Sequence, residues 1–295
     1  MIQLSDRRLS TGGLPVDEKS NKATVFICAN GRFAVGYTGI SRVGAFSTQP
    51  WLVEALGEAG PPDFGVFESA TRLARLLTDK FKTDRDLRRL PPQDRRLTVM
   101  LSGFLYNKPG GEAGSLLISN FQDFYSGRDL PLAQPDFTLY AEKEKAATEE
   151  PLTYVQRVGA WQAMTGTDVE NLRSLLARDA PLPVIIDAGV GTIRSIADRP
   201  RAQGTVGKEI LVSVIPRASN MPVEGFVRSP NASDELVFAD EVVSLPDHQH
   251  MLRDFRITAV DKEDVRDPQG FRPKLSRNER CWCGSGLKHK RCHGK

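Results

Sequence analysis

The order of apolar segments predicts an α+β protein with helices packed on a largely antiparallel sheet system. Three observations carry that expectation. Two apolar, β-branched runs, Ala23 to Ala29 and Arg32 to Thr38, flank Asn30-Gly31, a strong short-range hairpin signal. From Glu68 to Phe81, apolar residues recur at Ala70, Leu73, Leu76, Leu77 and Phe81, the period of a helix. Along the whole chain the blocks run strands, helices, strands, helices, strands.

Each element has its own signal. Thr48 can cap a helix that begins near Pro50 and continues through Trp51, Leu52, Val53, Ala55 and Leu56. Leu97 to Leu105 and Ser115 to Phe121 read as a second strand pair around the turn Pro109-Gly110-Gly111. Between Tyr125 and Thr153 the composition is mixed, with a short strand at Phe137 to Ala141 and a solvated charged run, Glu142 to Glu150. Thr167-Asp168-Val169-Glu170 is a capping box that opens a helix through Leu172, Leu175 and Leu176. A further helix covers Leu182 to Ile196, and its Gly189-Val190-Gly191 reads as close helix packing. Glu209 to Ile215, Gly225 to Arg228 and Leu236 to Val243 complete the strands. The domain expectation is a body over 1–250, a linker over 251–276 and a small module over 277–295.

Composition narrows the class. The chain has 295 residues, 40% apolar and 26% charged, which is enough to bury a core and ordinary for a globular protein. No run approaches the roughly 18 apolar residues that cross a membrane. Met1 to Ser10 is polar and carries Asp6, Arg7 and Arg8, unlike a signal peptide, so a cytoplasmic location is expected. Of the 4 cysteines, Cys28 stands alone in an apolar run and the others cluster near the C-terminus. A disulfide framework would spread them, so metal ligation is the better reading. Arg272 to Lys295 carries eight basic residues and one acid, a tail of +7, which leaves −4 for the rest of a chain whose total is +3. An acidic body with a basic tail suits an anionic partner as well as simple solubility.

The tail holds the firmest chemistry. Cys281-Trp282-Cys283 is followed after eight residues by Cys292-His293. Three thiolates and an imidazole fill a tetrahedral shell and leave no place for water, so one zinc ion there would be structural, not catalytic. The closed shell carries −1, and Lys288, Lys290 and Arg291 offset it. Gly284-Ser285-Gly286 permits the tight turn after the first ligand pair. With almost no apolar core, the module depends on metal for most of its folding free energy.

This stretch closely resembles the SEC-C motif, found at the C-terminus of the bacterial preprotein translocase ATPase and appended to many unrelated proteins. The likeness covers Arg277-Asn278, the C-x-C-G-S-G core, Lys288, Lys290 and the final Cys-His. It departs at Trp282, where proline is usual. The resemblance implies zinc and docking to a protein partner such as an export chaperone, or to the ribosome. Trp282, Lys288, Lys290 and Arg291 are the contact candidates. Nucleic-acid binding by the tail is a further possibility, since its charge and Trp282 permit phosphate contacts and stacking.

In the body, Ser5-Asp6-Arg7-Arg8, Thr11-Gly12-Gly13, Asn21-Lys22, the hairpin and Gly36-Tyr37-Thr38-Gly39 follow in order. Together they resemble the start of the proteasome β-subunit family of N-terminal-nucleophile hydrolases. That resemblance, good over about 1–60 and weaker to about 245, implies a four-layer αββα sandwich. It also implies that Asp6 orients Lys22, and that Lys22 lowers the pKa of a terminal Thr, Ser or Cys nucleophile. The nucleophile should lie on a strand upstream of Asp6. Met1 and Ile2 cannot serve, and Ser5 is too close to Asp6. Two expectations follow: a non-catalytic scaffold recruited by its zinc tail, or an amidohydrolase or peptidase whose nucleophile lies upstream of the present start. If that strand is absent, a sheet edge beside residues 2–8 should be unpaired.

Overall fold

The computed structural model describes residues 1–11, 14–61, 63–107, 111–142, 154–219, 221, 223–230, 242–243, 288 and 291. Contacts divide the chain into two units, Met1–Thr258 and Ala259–Lys295. In the first, the principal strands are β1 (Ile2–Asp6), β2 (Leu9–Thr11), β3 (Leu14–Asp17), β4 (Ala23–Cys28), β5 (Gly31–Gly39), β6 (Leu97–Leu105), β7 (Glu112–Ser119), β8 (Thr138–Glu142), β9 (Ile210–Val214), β10 (Glu224–Arg228) and β11 (Val242–Val243). The helices are α1 (Thr48–Ala59), α2 (Val66–Thr83), α3 (Arg85–Arg89), α4 (Gly166–Ala177) and α5 (Leu182–Ala197).

Six strands form the larger sheet in the order β8-β7-β6-β5-β4-β11, and three form the smaller one, β1-β9-β10. Every pair is antiparallel except β11 with β4. Strand alternation explains the layering. Phe26, Cys28, Phe33, Val35, Leu97, Val99 and Leu101 point to one face of the large sheet, where α1 and α2 bury Leu52, Leu56, Leu73 and Leu77 against them. Val25, Ile27, Ala34 and Phe104 point to the other face and meet Ile215. Ala23 meets Leu211 and Val227 of the small sheet. The outer face of that sheet sets Ile210, Val212 and Val214 against Ile186 and Val190 of α5. The order helices, sheet, sheet, helices is therefore an αββα sandwich.

Several local expectations need correction. The two-residue hairpin turn is Ala29-Asn30, with Cys28 opposite Gly31, so Gly31 is already the first residue of β5. Neither Asn30 nor Gly31 takes positive φ. Asn30 is held by tertiary bonds instead: its Oδ1 accepts from Val66 N at 3.0 Å and opens α2. Gly31 has no room for a Cβ, which would fall 2.7 Å from Phe104 O. At α1, Ser47 is the N-cap and Thr48 the first helical residue, its Oγ1 donating to Ile40 O at 2.6 Å. At α4 the capping box is Thr165 with Asp168, not Thr167 with Glu170, because Asp168 Oδ2 turns back to Thr165 N at 2.7 Å. Strand β7 starts earlier than Ser115 and ends at Ser119, and β8 runs to Glu142. Only Val242 and Val243 of the strand expected over 236–243 are described. The charged run 143–150 and the linker lie outside the described residues.

Gly189 fits the close packing expected of it, since a Cβ there would meet Leu4 Cδ1 at 2.3 Å. Gly191 faces open space and needs another explanation.

Candidate functional site

Asp6 and Lys22, sixteen residues apart, meet where β1 ends and β4 is about to begin. Lys22 Nζ lies 3.2 Å from Asp6 Oδ1. The lysine side chain is 13% exposed and the aspartate 21%, so the pair is largely withdrawn from water. The same Oδ1 accepts from Gly207 N at 3.0 Å and from Arg8 N at 3.1 Å. Two backbone donors and an ammonium on one oxygen fix the carboxylate in the charged, acceptor form.

Local structure explains the approach. The segment between the two residues is the β2–β3 ribbon, and its base is tied down by Arg7 to Glu209 at 3.2 Å and Arg8 to Glu18 at 2.9 Å. Ser20 N donates to Arg7 O at 3.1 Å and closes the loop. Lys22 O accepts from Tyr37 N at 3.3 Å, which seats the lysine backbone against β5. Burial pushes the Tyr37 hydroxyl well above its usual pKa, with Arg42 opposing and the Asp6 charge adding to the rise. Gly207 must be glycine-sized, because a Cβ would fall 2.7 Å from Arg8 Cβ. Gly207 and Tyr37 are members of the site that sequence reasoning did not assign. The only hint was Gly207 standing just before a strand.

The pair can polarise or hold a proton on a group brought to Lys22. Among the described residues no hydroxyl or thiol nucleophile is recorded against Lys22 Nζ, and Ser5 Oγ is bonded to Asp6 O at 3.4 Å. The Met1 amine is at the opposite end of β1, about 16 Å away at ~3.3 Å per residue. It donates to Ile215 O at 2.8 Å, and burial lowers its pKa to about 6.

The small sheet ends at β1, whose partner is β9 alone. The free edge expected beside residues 2–8 is thus present over β1 among the described residues.

Of the tail residues, only Lys288 and Arg291 are described, and both are exposed. Arg291 N donates to Lys288 O at 2.8 Å. Cys281, Cys283, Cys292, His293, Trp282 and Lys290 lie outside the described residues. Cys28 is buried, and burial raises its thiol pKa to about 11, as suits an inert core cysteine.

Residues 277–295 match the SEC-C motif. The chain is also similar to the protein translocase subunit SecA of Pseudomonas savastanoi pv. phaseolicola (strain 1448A / Race 6) and of Pseudomonas syringae pv. syringae (strain B728a). Each is 60% identical over 37 residues, 12% of this chain and 4% of the relative. The chain therefore spans only a small fraction of the length of the curated relatives it matches. Among solved structures it is similar to Anbu (ancestral beta-subunit) from Yersinia bercovieri, at 13% identity and a TM-score of 0.42, over 93% of this chain and 94% of that one. A second is the helical assembly of the Anbu complex from Pseudomonas aeruginosa, at 16% identity and a TM-score of 0.45, over 79% and 83%. No helix among the described residues is long and apolar enough to cross a membrane.

Proposed function

We propose that this protein is a docking protein, recruited to a protein or ribosomal partner by a zinc-folded SEC-C tail. The observation that carries the reading is the C-x-C, eight residues, C-H pattern inside the segment that matches that motif. The donor set fits zinc: Cys281, Cys283, Cys292 and His293 complete a closed tetrahedral shell. Bound there, zinc supplies folding free energy to a segment too short to build a core. Trp282 offers an aromatic anchor, and Lys288, Lys290 and Arg291 offer charge to an acidic surface. The body serves as the scaffold, in the cytoplasm, and the domain limits are 1–250, 251–276 and 277–295.

The test is direct. Purified full chain is mixed with ribosomes or with a purified export chaperone, and complex formation is measured for wild type and Cys292→Ser. Binding by wild type and its loss in the variant support the reading. Absence of binding to both partners, with zinc present, overturns it.

A second reading is favoured by the Asp6–Lys22 contact at 3.2 Å. In it the body hydrolyses an amide, with Lys22 lowering the pKa of a nucleophile supplied upstream of Met1 and Asp6 orienting the lysine. Amide hydrolysis that survives Lys22→Ala at full rate would remove this role.

A further inference from the structure

The helix layer above the small sheet is wider than the sheet. Helix α5 packs on β1 and β9, and α4 packs on α5 as its chief partner. One flank of α5 borders β10: Arg194 donates to Arg228 O at 3.0 Å, and Asp187 pairs with Arg228 at 3.6 Å. Gly189 faces Leu4 of β1. Continuing round the helix at about 100° per residue, Ile185, Ala188 and Thr192 face past β1. All three are half-buried, whereas Asp187, Gly191 and Ser195 are exposed, so α4 lies on that flank. Packed helices stand ~8–10 Å apart and neighbouring strands ~4.8 Å. The axis of α4 is therefore one to two strand widths beyond β1, over ground the small sheet does not occupy.

The edge below it is chemically ready. Met1 exchanges both backbone bonds with Ile215, and Arg7 N donates to Glu209 O. Antiparallel alternation then directs the amides and carbonyls of Gln3 and Ser5 to β9, and those of Ile2 and Leu4 away from it. Among the described residues, no strand meets these outward groups. The side chains of Ile2 and Leu4 are only half-buried although they face the apolar cluster with Ile186 and Val190.

We propose that the β1 edge is a strand-addition site, which takes an extended peptide segment of a partner protein, apolar at alternate positions, beneath α4 and α5. Backbone bonds to Ile2 and Leu4 supply affinity, and the apolar side chains continue the cluster toward Ile185 and Ala188. A second copy of this chain does not fit the same edge, because the overhanging α4 of each copy would need the space of the other's sheet. A lone strand does fit. This reading is independent of the tail.

The probe is a labelled eight-residue peptide of alternating valine and threonine, added to the full chain. Saturable binding is expected, with hydrogen exchange of the Ile2 and Leu4 amides slowed at least tenfold. Two N-methylated versions, blocked at odd or at even residues, should differ: one binds normally and the other at least tenfold more weakly. Leu4→Pro removes an outward N–H while sparing the bonds to β9 and should weaken binding at least tenfold. Ala188→Lys, on the helix rather than the strand, should do the same if Leu4→Pro proves unstable. Cys292→Ser should bind the peptide like wild type. Unchanged exchange, or equal binding of both N-methylated peptides, overturns the proposal. So does slow exchange of the two amides before peptide is added, which would mean that the edge is covered within the same polypeptide. Concentration-dependent dimers with the same protection would assign the edge to a second copy and also overturn it.

Discussion

Asp6 Oδ1 sits 3.2 Å from Lys22 Nζ and 3.0 Å from Gly207 N, and so joins residues drawn from three distant points of the chain. Removing the carboxylate leaves a largely buried ammonium and two backbone donors without their acceptor. Asp6→Ala should lower the unfolding free energy by about 1–3 kcal/mol. Lys22→Met, which keeps the acceptor for Gly207 and Arg8, should cost less. Urea midpoints of the two variants check the order, and a costlier Lys22→Met would refute this account of Asp6.

Gln3 is buried between the sheets, donating to Ala34 O at 3.0 Å and accepting from Gly36 N at 3.1 Å. A Cβ on Gly36 would fall 2.1 Å from its amide. Gly36→Ala should therefore destabilise by about 1–3 kcal/mol. Adding Gln3→Ser should recover part of that loss, and a double-mutant cycle measures the coupling. Strict additivity would argue against the contact.

Asp168 accepts from Arg199 Nη2 at 3.0 Å and from Thr165 at the start of α4. The Arg199 hydrogen bonds, helped by Thr165, hold its carboxyl well below the usual carboxylate range. A depressed folded pKa gives stability that is present above the unfolded value and is lost as pH falls through the folded one. The loss should begin near pH 4, the ordinary aspartate value, and deepen as acid is added. Asp168→Asn should flatten the stability profile below about pH 4 and leave its slope near neutrality unchanged. Acid titrations followed by circular dichroism distinguish the two profiles.

Metal analysis of the purified chain should return one zinc per molecule. Cys281→Ser or Cys292→Ser should abolish it, while unfolding of the body stays within experimental error of wild type. A body that loses stability with the metal would contradict the separation of tail and scaffold.

The layering was legible because it rests on alternation, a local signal. Phe26, Phe33 and Val35 fall on one face and Val25, Ile27 and Ala34 on the other, as period two requires. The helical stripe of α2 was legible for the same reason. Turn and cap details were not, because they depend on distant partners: Asn30 answers to Val66, and Asp168 to Arg199 and Thr165. The Asp6–Lys22 contact followed from a resemblance, since no sequence spacing reports that a ribbon will fold the two together. Gly207 could not be found, because its part is a backbone N–H. The width of the helix layer over the small sheet is a tertiary quantity and had no signal at all.

The register of the small sheet also sets a timetable. Asp6 pairs with Ile210 and Ile2 with Val214. The large sheet draws β4 to β8 from residues 23–142 and can assemble once those have emerged. β1 must wait for about two hundred further residues, which at ~5–20 residues per second is about 10 to 40 s of synthesis. Throughout that interval the first strand has both edges open, so the nascent chain is most exposed at its N-terminus while it is still attached to the ribosome.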